Sequence, residues 1–343
     1  MSFSEEKRNN IQAEIIMQIY KENEDFIKYI MGKYNISRQT ISRYLVFLEK
    51  LGFIESENKG KAKKYKIKEK KFSKIYKIKG LEEDKVWNEL KEQFEFIEKQ
   101  NENVYKIIRY GFTEILNNAI EHSESNDVLI QIITSNIYCR LCIIDKGIGI
   151  FNKIREHFNL ENIHESVLKL HIGKTTTDPK KHTGEGIFFT SKAFDVFNIY
   201  SDNLAFISIE RDFIFDYKSK QKGGTKVYME INNNSQKKLS EIFDKFTAEE
   251  DLGFQKTIIP LKVMEYEGEE LISRSQARRL IVNFEKFKEI VLNFEGVKEI
   301  GQAFTDEIFR VFKNEHPDIN LLVINTNDDI NKMIAHVESN LDK

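Results

Sequence analysis

The sequence predicts an α/β multidomain chain, and three observations predict it. Apolar residues recur at helical spacing through residues 11–48 and then give way to two short strand-like runs. A long amphipathic helix carrying Glu114 and Asn118 is followed by glycine-rich turns between strands. From residue 254 onward, strands and helices alternate. A chain of 343 residues can hold about two or three domains, each burying its own core.

A charged content of 31% beside 40% hydrophobic residues marks a soluble globular protein. No apolar run is long enough to span a bilayer, and the opening residues lack the apolar core of a signal peptide. A cytoplasmic location with no membrane partner is the expectation. The net charge of −2 conceals a lysine-dominated block from Lys59 to Lys79, in which Glu69 is the lone acid. Such a block beside a helical module is a nucleic-acid signal, although a solvated face produces the same composition.

Ile11, Ile15, Ile16 and Ile19 give the first helix an apolar face, and a second short helix covers Asp25 to Lys33. Ser37 is placed to cap a third helix, Arg38 to Leu51, with Gly52 as its stop. Ile41, Leu45 and Leu48 then face inward, while Arg38, Gln39, Thr40 and Arg43 point outward from the N-terminal half. Phe53–Glu55 and Tyr65–Ile67 read as paired strands around a basic hairpin that contains Lys61, Lys63 and Lys64. The run Ile36 to Ile54 is similar to the recognition helices of bacterial transcription factors. Residues 1–80 are accordingly expected to form a winged helix-turn-helix with a basic linker. Ser37, Arg38, Gln39, Thr40, Arg43, Lys61, Lys63 and Lys64 are its expected contacts to double-stranded DNA, and protein contacts are the alternative use of the fold.

Residues Leu81 to Gln100 and Val104 to Glu121 read as two amphipathic helices. Glu114 and Asn118, at i and i+4, share a face of the second. A strand, Leu141 to Ile144, runs into Asp145-Lys146-Gly147-Ile148-Gly149. Gly184 and Gly186 precede a helical stretch, and Thr225 follows Gly223-Gly224 in a strand-like run. Cys139 and Cys142 lie within a strand, where i and i+3 face opposite ways, and read as structural thiols.

This ordered set resembles the GHKL superfamily of ATP-binding folds over about residues 100–232. The resemblance implies a GHKL α/β sandwich at 81–235, a mixed sheet with helices on one face. It implies ATP with Mg²⁺: Asn118 as metal ligand, Glu114 as the base that activates water, and Asp145 as acceptor for the adenine amine. Gly147 and Gly149 would admit the nucleotide, Gly184 and Gly186 would present amides to phosphates, and Thr225 would lie beside the adenine. Residues 151–183 are expected to form a lid in which Lys174 is either a phosphate contact or a solvated loop lysine. His122 is read as a supporting residue.

Residues 254–343 alternate strand 257–263, helix 275–284, strand 289–294, helix 304–312, strand 319–325 and helix 329–338. The segment Ile290 to Val297 and the helix after it resemble the STAS-like fold of anti-sigma-factor antagonists, a small α/β layer fold suited to a protein partner. Antagonists carry a phosphorylatable serine at the strand-to-helix turn, whereas Ala303 stands there and Thr305 is the nearby hydroxyl.

The expected function is an ATP-binding, Mg²⁺-dependent and ATP-hydrolysing regulator whose nucleotide state controls DNA or partner binding. The alternatives are a protein kinase of the anti-sigma or histidine type and a nucleotide-gated binding protein without turnover. A homodimer is left open.

Overall fold

The computed structural model describes residues 4–59, 62–93, 101–160, 162–174, 184–209, 212–214, 223–248, 251–264, 271–281 and 284–339. Lys61 and residues 175–183, the last part of the expected lid, lie outside the described residues. Among the described residues, no helix is long and apolar enough to cross a membrane.

The chain opens with three helices, α1 (Glu5–Tyr20), α2 (Phe26–Tyr34) and α3 (Arg38–Lys50), followed by an antiparallel hairpin, β1 (Ile54–Lys59) and β2 (Ala62–Ile67). Asn35 in the left-handed region ends α2, and the Ser37 hydroxyl accepts from the Thr40 amide at 3.2 Å to start α3. A cap of that kind contributes about 1 kcal/mol. Ile11, Ile15, Ile30, Ile41, Leu45 and Ile54 form the core of this unit. Tyr138 of the neighbouring sheet joins that core, and the Tyr20 hydroxyl donates to Glu230.

The basic linker expected before residue 80 is instead part of a sheet. Lys70–Lys77 forms β3, which pairs antiparallel with β4 (Asp127–Thr134). Phe72 and Tyr76 turn toward the protein, while Lys70, Lys71, Lys74 and Lys77 stay exposed. Lysines on an edge strand block pairing with other chains. The same lysines hide the strand's alternation from a sequence reading.

Among the described residues, α4 (Glu83–Gln93) and α5 (Glu102–His122) lie between β3 and β4. After β5 (Tyr138–Asp145) come α6 (Ile150–Phe158), α7 (His164–Ile172) and α8 (Gly186–Ala193). Strands β6 (Val196–Ser201), β7 (Leu204–Ile209), β8 (Asp212–Ile214) and β9 (Lys226–Asn232) complete a seven-stranded sheet in the order β3-β4-β5-β9-β6-β7-β8. Every neighbouring pair is antiparallel, so the expectation of a mixed sheet is corrected. The reason is topological. The helical crossover from β5 to β6 leaves those two strands running the same way, but β9 inserts between them and opposes both.

One face of the sheet carries Val128, Ile130 and Ile132, which are fully buried beneath Trp87, Leu90, Ile108 and Phe112 of the helices. The alternate row, Leu129, Gln131 and Ile133, is only half-buried. Cys139 and Cys142 are free thiols whose pKa burial raises, to about 12 and about 11.

Helix α9 (Leu239–Phe246) leads through a short hairpin, β10 (Thr247–Ala248) and β11 (Asp251–Phe254), into a parallel sheet. That sheet consists of β12 (Lys256–Pro260), β13 (Glu289–Asn293) and β14 (Asn320–Ile324). Around it stand α10 (Arg274–Ile281), α11 (Gln302–Asp306), a π-helical stretch (Glu307–Phe312), α12 (Lys313–Glu315) and α13 (Asp328–Glu338). The core of this unit extends beyond it. Leu168 and Ile172 of α7 and Phe188 and Phe189 of α8 pack with Phe284, Leu292, Phe304 and Ile330.

Candidate functional site

A cavity of about 460 Å³ opens between α5, the β5 end of the sheet and α8. Glu114, Asn118, Asp145, Gly149, Gly184, Gly186 and Thr225 all line it, although they come from separate stretches of chain. The fold brings them together through close backbone contacts.

Gly147 holds the β5 loop against the end of α5. A β-carbon there would lie 1.7 Å from the Ser123 carbonyl oxygen, and the Ile148 amide donates to that same oxygen at 2.9 Å. Gly224 performs the matching task for β9. It has a φ of +66°, a β-carbon would come within 2.2 Å of the Asp145 carbonyl, and its amide donates to the Gly147 carbonyl at 2.9 Å. Gly147 itself supports the cavity without lining it.

Asp145 is 4% exposed at the floor of the cavity. Its Oδ1 accepts from the Gly147 amide at 2.9 Å and the Thr225 amide at 3.2 Å. Burial raises its pKa above the ordinary aspartate value, and those two amide bonds oppose the rise. The Thr225 hydroxyl accepts from the Ile150 amide at 3.0 Å and so caps the first turn of α6. A buried carboxylate with one oxygen held by backbone amides is an oriented acceptor for a ligand N–H.

On the opposite wall, Glu114 and Asn118 are half-buried on α5. Gly186, the first residue of α8, approaches Glu114 so closely that a β-carbon would meet its Oε2 at 1.9 Å. The α8 N-terminus therefore opens into the cavity beside a carboxylate and an amide. The first amides of a helix have no acceptor within it, which suits them to an anion.

Lys174 is placed elsewhere. Its Nζ donates to the Lys286 carbonyl at 2.6 Å and stands 4.9 Å from the centre of the Phe287 ring. Burial lowers its pKa. Lys174 is not among the residues lining the cavity: α7 ends at Gly173 and the lysine reaches the C-terminal unit, although Glu185 of the cavity still acts on its charge. His122 and Lys153 do line the cavity, and Lys153 also pairs with Glu124.

Sequence reasoning missed Tyr110, Phe189 and Phe243, which line the same cavity. Tyr110 could have been found as the residue one turn before Glu114. Phe243 lies on α9, between the expected units 81–235 and 254–343, and carried no local signal.

In the N-terminal unit, Arg38, Gln39 and Arg43 are exposed and Thr40 is half-buried. Ser37 and Thr40 bond one another at 3.0 Å, so both hydroxyls are engaged in the cap. Lys63 and Lys64 are exposed, each 3.9 Å from an acid, Glu49 and Glu24 respectively.

At the far end of the chain, Thr305 is fully buried and its hydroxyl donates to the Gly301 carbonyl at 2.9 Å. A family model described as a STAS-like domain of unknown function (DUF4325) matches residues 276–331. The C-terminal unit is STAS-like. The match begins within α10 and runs through β13, α11 and β14 into α13. No curated protein matches the chain. A STAS-like unit whose helix-turn hydroxyl is buried and already bonded is poorly placed to accept phosphate, although the unit remains compatible with a protein partner.

Proposed function

We propose that the chain is an ATP-driven, Mg²⁺-dependent regulator of the GHKL kind, with a winged helix-turn-helix for DNA at its N-terminus. Its working division is 1–80, 81–235 and the STAS-like 254–343. The observation that carries the reading is the convergence of Glu114, Asn118, Asp145, Gly186 and Thr225 on one cavity. That set supplies an acceptor for an adenine amine at one end and a base, an amide and helix-terminal amides at the other.

In this reading, Asp145 Oδ2 accepts from the exocyclic amine of adenine while Oδ1 stays held by its two amides. The α8 N-terminus would hold the phosphates, and the Asn118 carbonyl oxygen would supply one hard oxygen ligand to Mg²⁺. When bound, Mg²⁺ offsets charge on the phosphate oxygens. Glu114 orients a water and takes its proton as the water oxygen bonds to the γ-phosphorus. The bond from that phosphorus to the β–γ bridging oxygen breaks, and ADP leaves with the electron pair. The exposed Arg38, Gln39 and Arg43 on the first half of α3, with Thr40 beside them, support DNA contact.

The test is turnover of γ-labelled ATP by the full chain, with label followed to free phosphate and to protein. Free phosphate that disappears in Glu114→Ala, with ATP binding kept, supports the ATPase. Unchanged turnover removes Glu114 from the mechanism. Label retained on protein would favour a kinase, and Thr305, the hydroxyl at the STAS-like turn, is buried.

A further inference from the structure

Helix α5 sets the order of groups along the cavity. Its C-terminal end is fastened to the Asp145 loop through Ser123 and Gly147. Moving back along the helix, Asn118, Glu114 and Tyr110 follow at one-turn intervals, each step advancing about 6 Å. If adenine lies at Asp145, the terminal phosphate lies at Glu114. Whatever stands beyond Glu114 decides what can reach that phosphate.

An aromatic wall stands there. The Tyr110 and Phe243 rings meet edge to face with centroids 5.6 Å apart, and Phe243 lies 4.5 Å from Phe189 of α8. All three line the cavity together with Glu114. Phe243 is half-buried, which places it between the cavity and the outside. The wall is braced from behind. Phe189 packs on Phe188 and Phe246, and Phe188, Phe189 and Phe246 belong to the core of the STAS-like unit. The Phe246 carbonyl accepts from the Gln255 amide at 3.0 Å, directly before β12. Phe243 itself packs against that core.

We infer that Phe243 is a specificity-determining residue: it closes the Glu114 end of the cavity, so that water reaches the terminal phosphate and a protein acceptor does not. The inference rests on the nucleotide reading above and selects hydrolysis over phosphotransfer within it. A water molecule needs only a gap beside Glu114. A serine, threonine or histidine carried on another polypeptide needs an open path for its backbone, and the Tyr110–Phe243–Phe189 wall occupies that path. The element that bars the path is also the segment that enters the STAS-like unit, so a partner docked on that unit could change access to the phosphate.

The test uses the full chain and three probes: ATP, its γ-methyl ester and its γ-benzyl ester. The two esters carry the same charge and differ in bulk beyond the terminal phosphate. The wild-type chain is expected to bind the methyl ester at least about tenfold more tightly than the benzyl ester. Phe243→Ala is expected to narrow that ratio to within about threefold, because the bulky group then extends through the opened wall. Equal affinity for the two esters in the wild-type chain would overturn the inference, as would an unchanged ratio in Phe243→Ala. Should that variant fail to fold, the wild-type ratio still decides. Absence of binding by ATP itself would defeat the nucleotide reading, and this inference with it, an outcome distinct from ATP binding without discrimination.

Discussion

The Glu114 carboxylate lies against Gly186, with its Oε2 1.9 Å from the position a β-carbon on Gly186 would occupy. This approach joins the α5 face that carries the proposed base to the α8 N-terminus proposed to hold phosphate. Gly186→Ala meets only the far end of a flexible side chain, so the fold is expected to survive with its melting temperature nearly unchanged. Glu114 must swing aside, and a displacement of about 1 Å at a base costs roughly a hundredfold in rate. ATP turnover by Gly186→Ala is therefore expected to fall by about that factor. Wild-type turnover in a folded Gly186→Ala chain would separate this packing from catalysis.

Gly147 supplies the contrast. A β-carbon there would meet the Ser123 carbonyl, which is backbone and cannot rotate away. These two glycines lie in similar glycine-rich runs, yet one substitution is expected to strike chemistry and the other folding.

Asp145→Asn keeps the shape of the cavity floor but changes its donor and acceptor pattern. The two amides that hold Oδ1 would lose a charged partner, and an adenine amine would face either a weaker acceptor or a donor. ATP affinity is expected to fall by about tenfold or more, measured by calorimetry on the full chain. Affinity for a nucleotide lacking the exocyclic amine should change far less. An equal loss for both nucleotides would show that Asp145 shapes the floor without reading the base.

Much of this site was legible in the sequence because its signals are local. Glu114 and Asn118 are one turn apart, and Asp145, Gly184, Gly186 and Thr225 sit in short turn-like runs whose backbone needs can be read from neighbours. Lys174 was not legible, since the carbonyl that its ammonium reaches belongs to Lys286, more than a hundred residues on. Nor was β3, whose lysines cover the alternation of an edge strand. The placement of β9 between β5 and β6 follows from long-range pairing that no spacing encodes. Phe243 reaches the cavity only because α9 folds back over α5 and α8, so nothing in residues 239–246 announces it.

Lys169 on α7 is 3% exposed, and burial pushes its pKa down to about 8, with Lys286 adding to the fall and Glu285 and Glu165 opposing it. In the unfolded chain the same group titrates at its ordinary value of 10.5. A lowered base binds fewer protons in the folded state, so folding stability from this group is lost as pH falls from 10.5 toward about 8. The chain is expected to melt at a higher temperature at pH 9 than at pH 7, and Lys169→Met should flatten that dependence. A pH profile identical in the variant would show that Lys169 does not govern it.

For the N-terminal unit the expectation concerns salt as much as affinity. Lys63 and Lys64 are exposed on the β1–β2 hairpin, each 3.9 Å from an acid that competes with a phosphate for the same ammonium. Replacing both by alanine should weaken binding to duplex DNA and reduce the slope of log affinity against log salt by about one for each phosphate no longer neutralised. Replacing Arg43 on α3 should instead act through sequence preference, because base edges, not phosphates, face the first half of a helix lying in the major groove. A double-lysine variant that binds DNA with an unchanged salt slope would count against Lys63 and Lys64 as phosphate contacts and leave α3 as the candidate DNA surface among the described residues of the unit.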